Sequence, residues 1–115
     1  MQPLAAVFPE RKLTRRRVVI TGLGIISPVG NTVEQAWQNI IAGRSGIDRV
    51  TRFDASTFPV QIAGEVKNFN VADYLPVKDA RRMDTFIHYG MAAGIQAIKD
   101  AGLEAHPANA ERIGV

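Results

Sequence analysis

Apolar positions in residues 17–43 follow two patterns, which predict a strand and then a helix. Arg17 opens a run of β-branched and almost continuously apolar residues, 18–21, which is typical of a strand buried on both faces, as in a parallel sheet. Residues 33–41 instead place apolar side chains at helical spacing. Asn31 and Thr32 precede them as good N-caps with capping-box partners, and Gly43 stands where a left-handed C-cap glycine belongs.

The longest pattern predicts a second helix ending at Gly102. Asp84 is the candidate N-cap, although the helix could also begin just after Pro76. The small residues within it predict close packing against another element, since glycine disfavours a helix interior. The apolar face comprises Met83, Phe86, Ile87, Gly90, Met91, Gly94, Ile95 and Ile98.

The remaining segments are less regular. Residues 44–60 and 67–76 are predicted loops, and residues 61–66 carry a weak signal for a short strand. Residues 112–115 resemble the start of another strand. The resulting order of strands and helices predicts an α/β fold with a parallel sheet. Because the chain stops inside an apparent strand, we expect it to be the opening segment of a longer protein.

The net charge of +3 comes from the first residues of the chain. Residues 1–17 hold five cations and one acid, or +4, which leaves −1 for residues 18–115. The chain therefore lacks the basic domain that nucleic-acid binding requires, and we expect no nucleic-acid partner.

Residues 1–14 are predicted to be a disordered basic leader, with the domain over residues 15–115. Pro3 and Pro9 interrupt any helix there, and the cations follow the apolar residues, the reverse of a secretory signal. No apolar run is long enough for a membrane helix. These features predict a cytoplasmic protein with no membrane partner.

The sequence contains no complete catalytic or cofactor-binding motif among those considered. The chain has no cysteine, which excludes a thiolate nucleophile and Cys-ligated metals within it. Gly22-x-Gly24 invites a dinucleotide fingerprint, but Ser27 replaces the third glycine or alanine. His88 and His106 have no partner that would make either a catalytic base. We therefore predict no catalytic residue, cofactor or metal site in this chain.

Taken in order, the residues resemble the β-ketoacyl-acyl-carrier-protein synthases, most closely the type II elongating enzymes of bacterial fatty-acid synthesis. The resemblance covers the chain from about Arg16 onwards. It rests on RVVITGLGIISPVGN (17–31), Trp37 with IAGRSGI (41–47), FD (53–54), IAGEV (62–66), RMDTF (82–86) and AGL (101–103).

This resemblance implies a thiolase-like fold, incomplete in this chain, and a homodimeric acyltransferase. Such enzymes catalyse a decarboxylating Claisen condensation, with an active-site cysteine and two histidines that lie beyond Val115. The segment alone is then scaffold, and we predict it to be inactive. Two other classes remain open: a non-catalytic chain-length-factor or polyketide ketosynthase relative, and a stand-alone binding module.

Lys78, Arg81 and Arg82 are the candidate binding residues. They precede the long helix, where cations oppose the helix dipole. One interpretation is an ordinary solvated cluster. The other, implied by the resemblance, is a docking patch for acyl carrier protein, a strongly acidic partner.

Overall fold

The computed structural model describes residues 15–115. The predicted leader, residues 1–14, lies outside the described residues. The described segment contains three α-helices: α1 (Val33–Ile41), α2 (Val77–Ala80) and α3 (Thr85–Ala101). Two strands, β1 (Ile47–Arg49) and β2 (Ile62–Gly64), pair between α1 and α2.

Helix α1 forms as its capping signals predict. The Thr32 hydroxyl accepts from the Gln35 backbone N–H at 3.1 Å, and the Gln35 side chain accepts from the Asn31 N–H at 2.8 Å. The first bond satisfies an amide that a helix start leaves without a partner, and the second holds the residue before the cap. Beyond the helix end, Gly43 has φ +69°, the predicted left-handed conformation.

Helix α3 also matches its prediction, beginning after Asp84 and ending at Gly102, whose φ is +62°. The Asp84 carboxylate accepts from the Thr85 N–H at 2.7 Å. The alternative start after Pro76 corresponds to the separate helix α2, which a turn divides from α3.

The predicted strand over residues 17–21 is wrong for the described part of the chain. Residues 15–26 belong to no strand, and Val18 is 91% exposed rather than buried. A strand needs a ladder partner for its backbone, and none of residues 15–115 pairs with this segment. The predicted strand over 112–115 is also wrong for the described chain, since Arg112 ends a 3-10 helix (Ala110–Arg112) and residues 113–115 belong to no strand.

The described sheet is antiparallel, whereas the sequence predicts a parallel one. Ile47 pairs with Gly64, and Arg49 pairs with Ile62. Strand β1 lies inside the segment 44–60, which the sequence predicts to be a loop. The weak strand signal over 61–66 is confirmed by β2.

The extended segment around Gly22 and Gly24 packs directly on helix α3. A Cβ added at Gly22 would lie 2.6 Å from the Ala101 nitrogen, and one at Gly24 would lie 2.8 Å from the Ala97 nitrogen. The predicted close packing of the small-residue helix is thereby confirmed on its alanine side. Gly90 and Gly94, in contrast, would meet nothing within 4 Å among the described residues.

Side chains of α3 satisfy the backbone of this unpaired segment. The Leu23 N–H donates to Asp100 Oδ2 at 2.9 Å, and the Ile25 N–H donates to Gln96 Oε1 at 3.1 Å. Gln96 also donates to the Asn31 carbonyl at 2.7 Å and to the Tyr74 hydroxyl at 2.8 Å. Gln96 therefore joins α3, the extended segment and the start of α1.

Little apolar surface is buried within the segment. The buried hydrophobic residues of the described chain are all alanines, whereas Trp37 is 59% and Ile95 is 36% exposed. The faces that carry Trp37 and Ile95 are therefore open, and open apolar faces promote association.

Candidate functional site

Lys78, Arg81 and Arg82 form a basic patch on and just after helix α2. Lys78 lies within α2, Arg81 is its C-cap residue, and Arg82 lies in the turn before α3. All three side chains are exposed. The patch therefore belongs to a separate short helix and turn, not to the first turn of the long helix.

The spacing of Lys78 and Arg81 places their side chains on one side of α2. Positions i and i+3 lie together on a helix surface, and Arg81 keeps helical dihedral angles (φ −64°, ψ −18°), whereas Arg82 follows in the turn. Ala80 lies between them in sequence and is only 5% exposed. Helix α2 therefore turns its alanine inward and its cations outward. The exposed Asp79 partly offsets their charge.

Several contacts hold α2 in place. These contacts come from the segments on either side of α2, because its N-cap, Pro76, makes no side-chain cap hydrogen bond. Before it, Tyr74 stacks on Phe69 with ring centroids 5.9 Å apart, and Phe69 meets Tyr89 of α3 edge to face at 5.1 Å. After it, the Nε2 atom of His88 lies 2.8 Å from the Ala80 carbonyl oxygen. Contacts on both sides of α2 thus connect it to α3.

A second polar cluster surrounds Glu65, just after β2. Its carboxylate accepts from the Thr51 hydroxyl at 2.8 Å, from the Thr51 N–H at 3.1 Å and from the Arg52 N–H at 3.3 Å. The Thr51 hydroxyl contributes most to lowering the pKa of Glu65 below its usual range. The Arg52 guanidinium donates to the Tyr89 hydroxyl at 2.6 Å, which links this cluster to α3.

We expect Thr51→Val to raise the pKa of Glu65 towards its ordinary value, because the variant removes the hydroxyl donor and keeps the backbone donor. Any stability that Glu65 contributes is present above its unfolded-state pKa and is lost as the pH falls through the lower folded-state pKa. An NMR titration of the Glu65 carboxyl carbon measures the change.

Ser56→Ala is the matched control for that titration. The pKa of Asp54 is lowered mainly by the Ser56 backbone N–H, which lies 3.0 Å from Asp54 Oδ1 and survives the substitution. The control should therefore leave the pKa of Glu65 unchanged and that of Asp54 low. An unshifted pKa of Glu65 in Thr51→Val contradicts the assigned cause.

The described residues contain no assembled catalytic or metal centre. His88 contacts a backbone carbonyl, and His106 lies in an exposed loop where its own N–H donates to Asn109. No group of three His, Cys, Asp or Glu side chains within residues 15–115 is placed to hold a metal ion. Within that range, no helix has the length and apolar character that crossing a bilayer would require.

Sequence reasoning missed the side chains that hold these parts together. Gln96 and Asp100 satisfy backbone amides more than seventy residues away, and His88 contacts the residue that ends α2. Polar residues at the edge of a helical stripe were the available signal. Their partners could not be identified, because the contacts depend on how distant segments pack.

Comparison with known proteins assigns the family. The family model for the β-ketoacyl synthase N-terminal domain matches residues 15–115. The chain belongs to this β-ketoacyl synthase family, as the motif order predicts.

Individual relatives agree with the family model. The chain is 54% identical over 103 residues to the 3-oxoacyl-[acyl-carrier-protein] synthase 2 of Vibrio cholerae, covering 90% of this chain and 25% of the relative. It is 50% identical to the protein of the same name from Coxiella burnetii, with the same coverage of both chains. It is 49% identical to the protein of that name from Staphylococcus aureus over 100 residues, which cover 87% of this chain and 24% of the relative. The chain thus spans about a quarter of the length of these relatives.

A solved structure supports the fold. The ishigamide ketosynthase/chain length factor aligns with a TM-score of 0.68 and 41% sequence identity, over 78% of this chain and 22% of that one. This neighbour confirms the expected fold class, a partial α/β fold of the thiolase-like type, although the described residues form only a small antiparallel sheet.

Proposed function

We propose that this chain is the N-terminal part of a 3-oxoacyl-[acyl-carrier-protein] synthase that elongates acyl chains in fatty-acid biosynthesis. The observation that carries the proposal is the 49–54% identity, over 87–90% of this chain, to relatives with that name. The homodimer and the cytoplasmic location that the resemblance implies form part of the same proposal.

The proposed reaction is a decarboxylating Claisen condensation. An active-site cysteine holds the acyl chain as a thioester. Malonyl-carrier protein loses carbon dioxide, and the resulting carbanion attacks the acyl carbonyl carbon, which forms the new carbon–carbon bond and releases the cysteine thiolate. The nucleophile must lie outside the present chain, because this chain has no cysteine. Residues 15–115 therefore contribute scaffold and are inactive alone.

The basic patch is the part of this segment that we propose to contact acyl carrier protein. Lys78, Arg81 and Arg82 are exposed on a short helix and the turn after it, and the helix is connected to α3. Opposite charges across an interface raise the association rate and select the partner. An acidic carrier protein is the partner that such a surface fits, and the relatives are named for acyl-carrier-protein substrates.

The second candidate is a non-catalytic relative of the chain-length-factor type or a polyketide ketosynthase. The structural neighbour supports this second candidate, because its name contains both ketosynthase and chain length factor. Its 41% identity is lower than the 49–54% identity of the 3-oxoacyl synthases, which favours the elongating enzyme.

A condensation assay on the full-length protein that contains residues 15–115 separates these candidates. With acyl-carrier protein and malonyl-carrier protein and no added cofactor, we expect one carbon dioxide for each 3-oxoacyl product. Mass spectrometry of the carrier-bound chain identifies that product. Product formed only after a catalytic ketosynthase partner is added would instead support the chain-length-factor candidate.

A further inference from the structure

We propose that His88 is a positioning residue for carrier-protein docking, acting through Ala80 on the basic patch. The proposal rests on the proposed function, since it assigns a role to His88 in the use of that patch. His88 has no contact with the reacting atoms in this account. Its effect is to fix the place of the cations that follow Ala80.

The geometry joins the end of α2 to the second turn of α3. The Nε2–H of His88 donates to the Ala80 carbonyl oxygen at 2.8 Å, and the same oxygen accepts from the Met83 N–H at 3.1 Å. Ala80 is the last residue of α2, and Arg81 and Arg82 come directly after it. A single carbonyl thus receives both the turn amide and the histidine.

Helix α2 needs an external anchor because it is very short. It has four residues, and its N-cap makes no side-chain hydrogen bond. Helix formation has a costly nucleus, so a single turn is not stable by itself. Carbonyls at a helix end also lack partners within the helix. His88 supplies one of those partners.

Helix α3 is suited to be the anchor. It has seventeen residues, with the Asp84 cap at its start and the left-handed Gly102 at its end. Its Ala92 is fully buried, at 0% exposure. His88 itself is half-buried, so its ring is held on the α3 surface facing α2. The cations are consequently presented from a fixed base instead of a mobile loop.

The test compares two amide variants in the full-length protein. His88→Gln keeps an N–H donor at nearly the same reach as Nε2, whereas His88→Asn is polar but too short to reach the carbonyl. We expect His88→Asn to raise the Michaelis constant for acyl-carrier protein about fivefold with kcat unchanged. His88→Gln should restore the wild-type value, and turnover of small acyl-pantetheine thioesters should stay unchanged in both.

Hydrogen exchange gives a readout that is independent of the carrier protein. The Met83 amide shares the Ala80 carbonyl with His88, so its exchange should accelerate in His88→Asn and not in His88→Gln. Faster exchange without a change in the Michaelis constant overturns the docking role of His88. Equal behaviour of the two variants overturns the hydrogen bond as the cause.

The failure of this proposal can be told apart from the failure of the proposed function. If reversing the charges of Arg81 and Arg82 raises the Michaelis constant while His88→Asn does not, the patch stands and His88 has no part in docking. If the charge reversal also has no effect, the docking surface itself is wrong and the assignment of His88 falls with it.

Discussion

Replacing Gly24 with alanine will lower the free energy of unfolding by about 3 kcal/mol, since the added methyl group has no space. Its Cβ would overlap the Ala93 carbonyl oxygen and lie 2.8 Å from the Ala97 nitrogen. Both are backbone atoms of a long helix, so neither can rotate away. The extended segment must instead move off α3, which breaks the hydrogen bond from Ile25 to Gln96. Chemical denaturation of the full-length protein measures the loss.

Gly94→Ala is the matched control for this substitution. Nothing among the described residues lies within 4 Å of a Cβ added at Gly94. Alanine in place of glycine in a helix interior stabilises by about 1 kcal/mol. Within the contacts of residues 15–115, the two identical substitutions should therefore have effects of opposite sign. An equal loss of stability in both variants would show that close packing on α3 is not the reason for glycine at position 24.

The second large effect is expected on the Michaelis constant for acyl-carrier protein, when two charges of the basic patch are reversed. We expect Arg81→Glu with Arg82→Glu to raise the Michaelis constant for acyl-carrier protein about thirtyfold, equivalent to about 2 kcal/mol. Both arginines are exposed, so the change acts on the partner and leaves the fold intact. Turnover of small thioesters, which do not contact the patch, should stay unchanged. Steady-state kinetics with both substrates tests this directly.

The same double reversal elsewhere on the surface controls for net charge. Arg44 and Arg49 are also exposed and lie outside the patch, so Arg44→Glu with Arg49→Glu changes the total charge equally. Added salt should weaken wild-type binding more than binding by the patch variant, because salt screens exposed charges. A thirtyfold effect from the control pair would mean that overall charge, not the patch, attracts the carrier protein.

Helices α1 and α3 could be predicted because their signals are local. Thr32, Asp84 and Gly102 cap helices through bonds to near neighbours, and each does what the sequence indicates. The predicted strand over residues 17–21 was wrong for the described chain, since a β-branched run becomes a strand only beside a partner. The short strand β1 was missed because loop-like residues surround it and its pairing partner lies beyond a long loop.

The glycine pair shows why long-range packing was hard to predict. Gly22-x-Gly24 fails as a cofactor motif, and the small residues of α3 indicate a neighbour without identifying it. The structure explains both observations with one contact, since the glycines lie on the alanine side of α3. No local rule could pair segments so far apart in sequence.

Part of the candidate site could be predicted, because the spacing of its three cations is a local feature of the sequence. The spacing of Lys78, Arg81 and Arg82 is visible in the sequence, and all three side chains are exposed, but their docking role stays a prediction. The separate helix α2 and its contact with His88 were not predictable, because a single turn between Pro76 and Asp84 carries too few residues for a periodic signal.

A charge-swap measurement tests the docking surface most directly. The kinetics of wild type and the Arg81→Glu, Arg82→Glu variant would each be measured with native acyl-carrier protein and with a carrier protein whose acidic residues are replaced by lysine. We expect the swapped carrier protein to restore much of the variant's lost activity and to be a poor substrate for wild type. If it is equally poor for both enzymes, the patch and the carrier protein do not interact, and the assigned docking surface is contradicted.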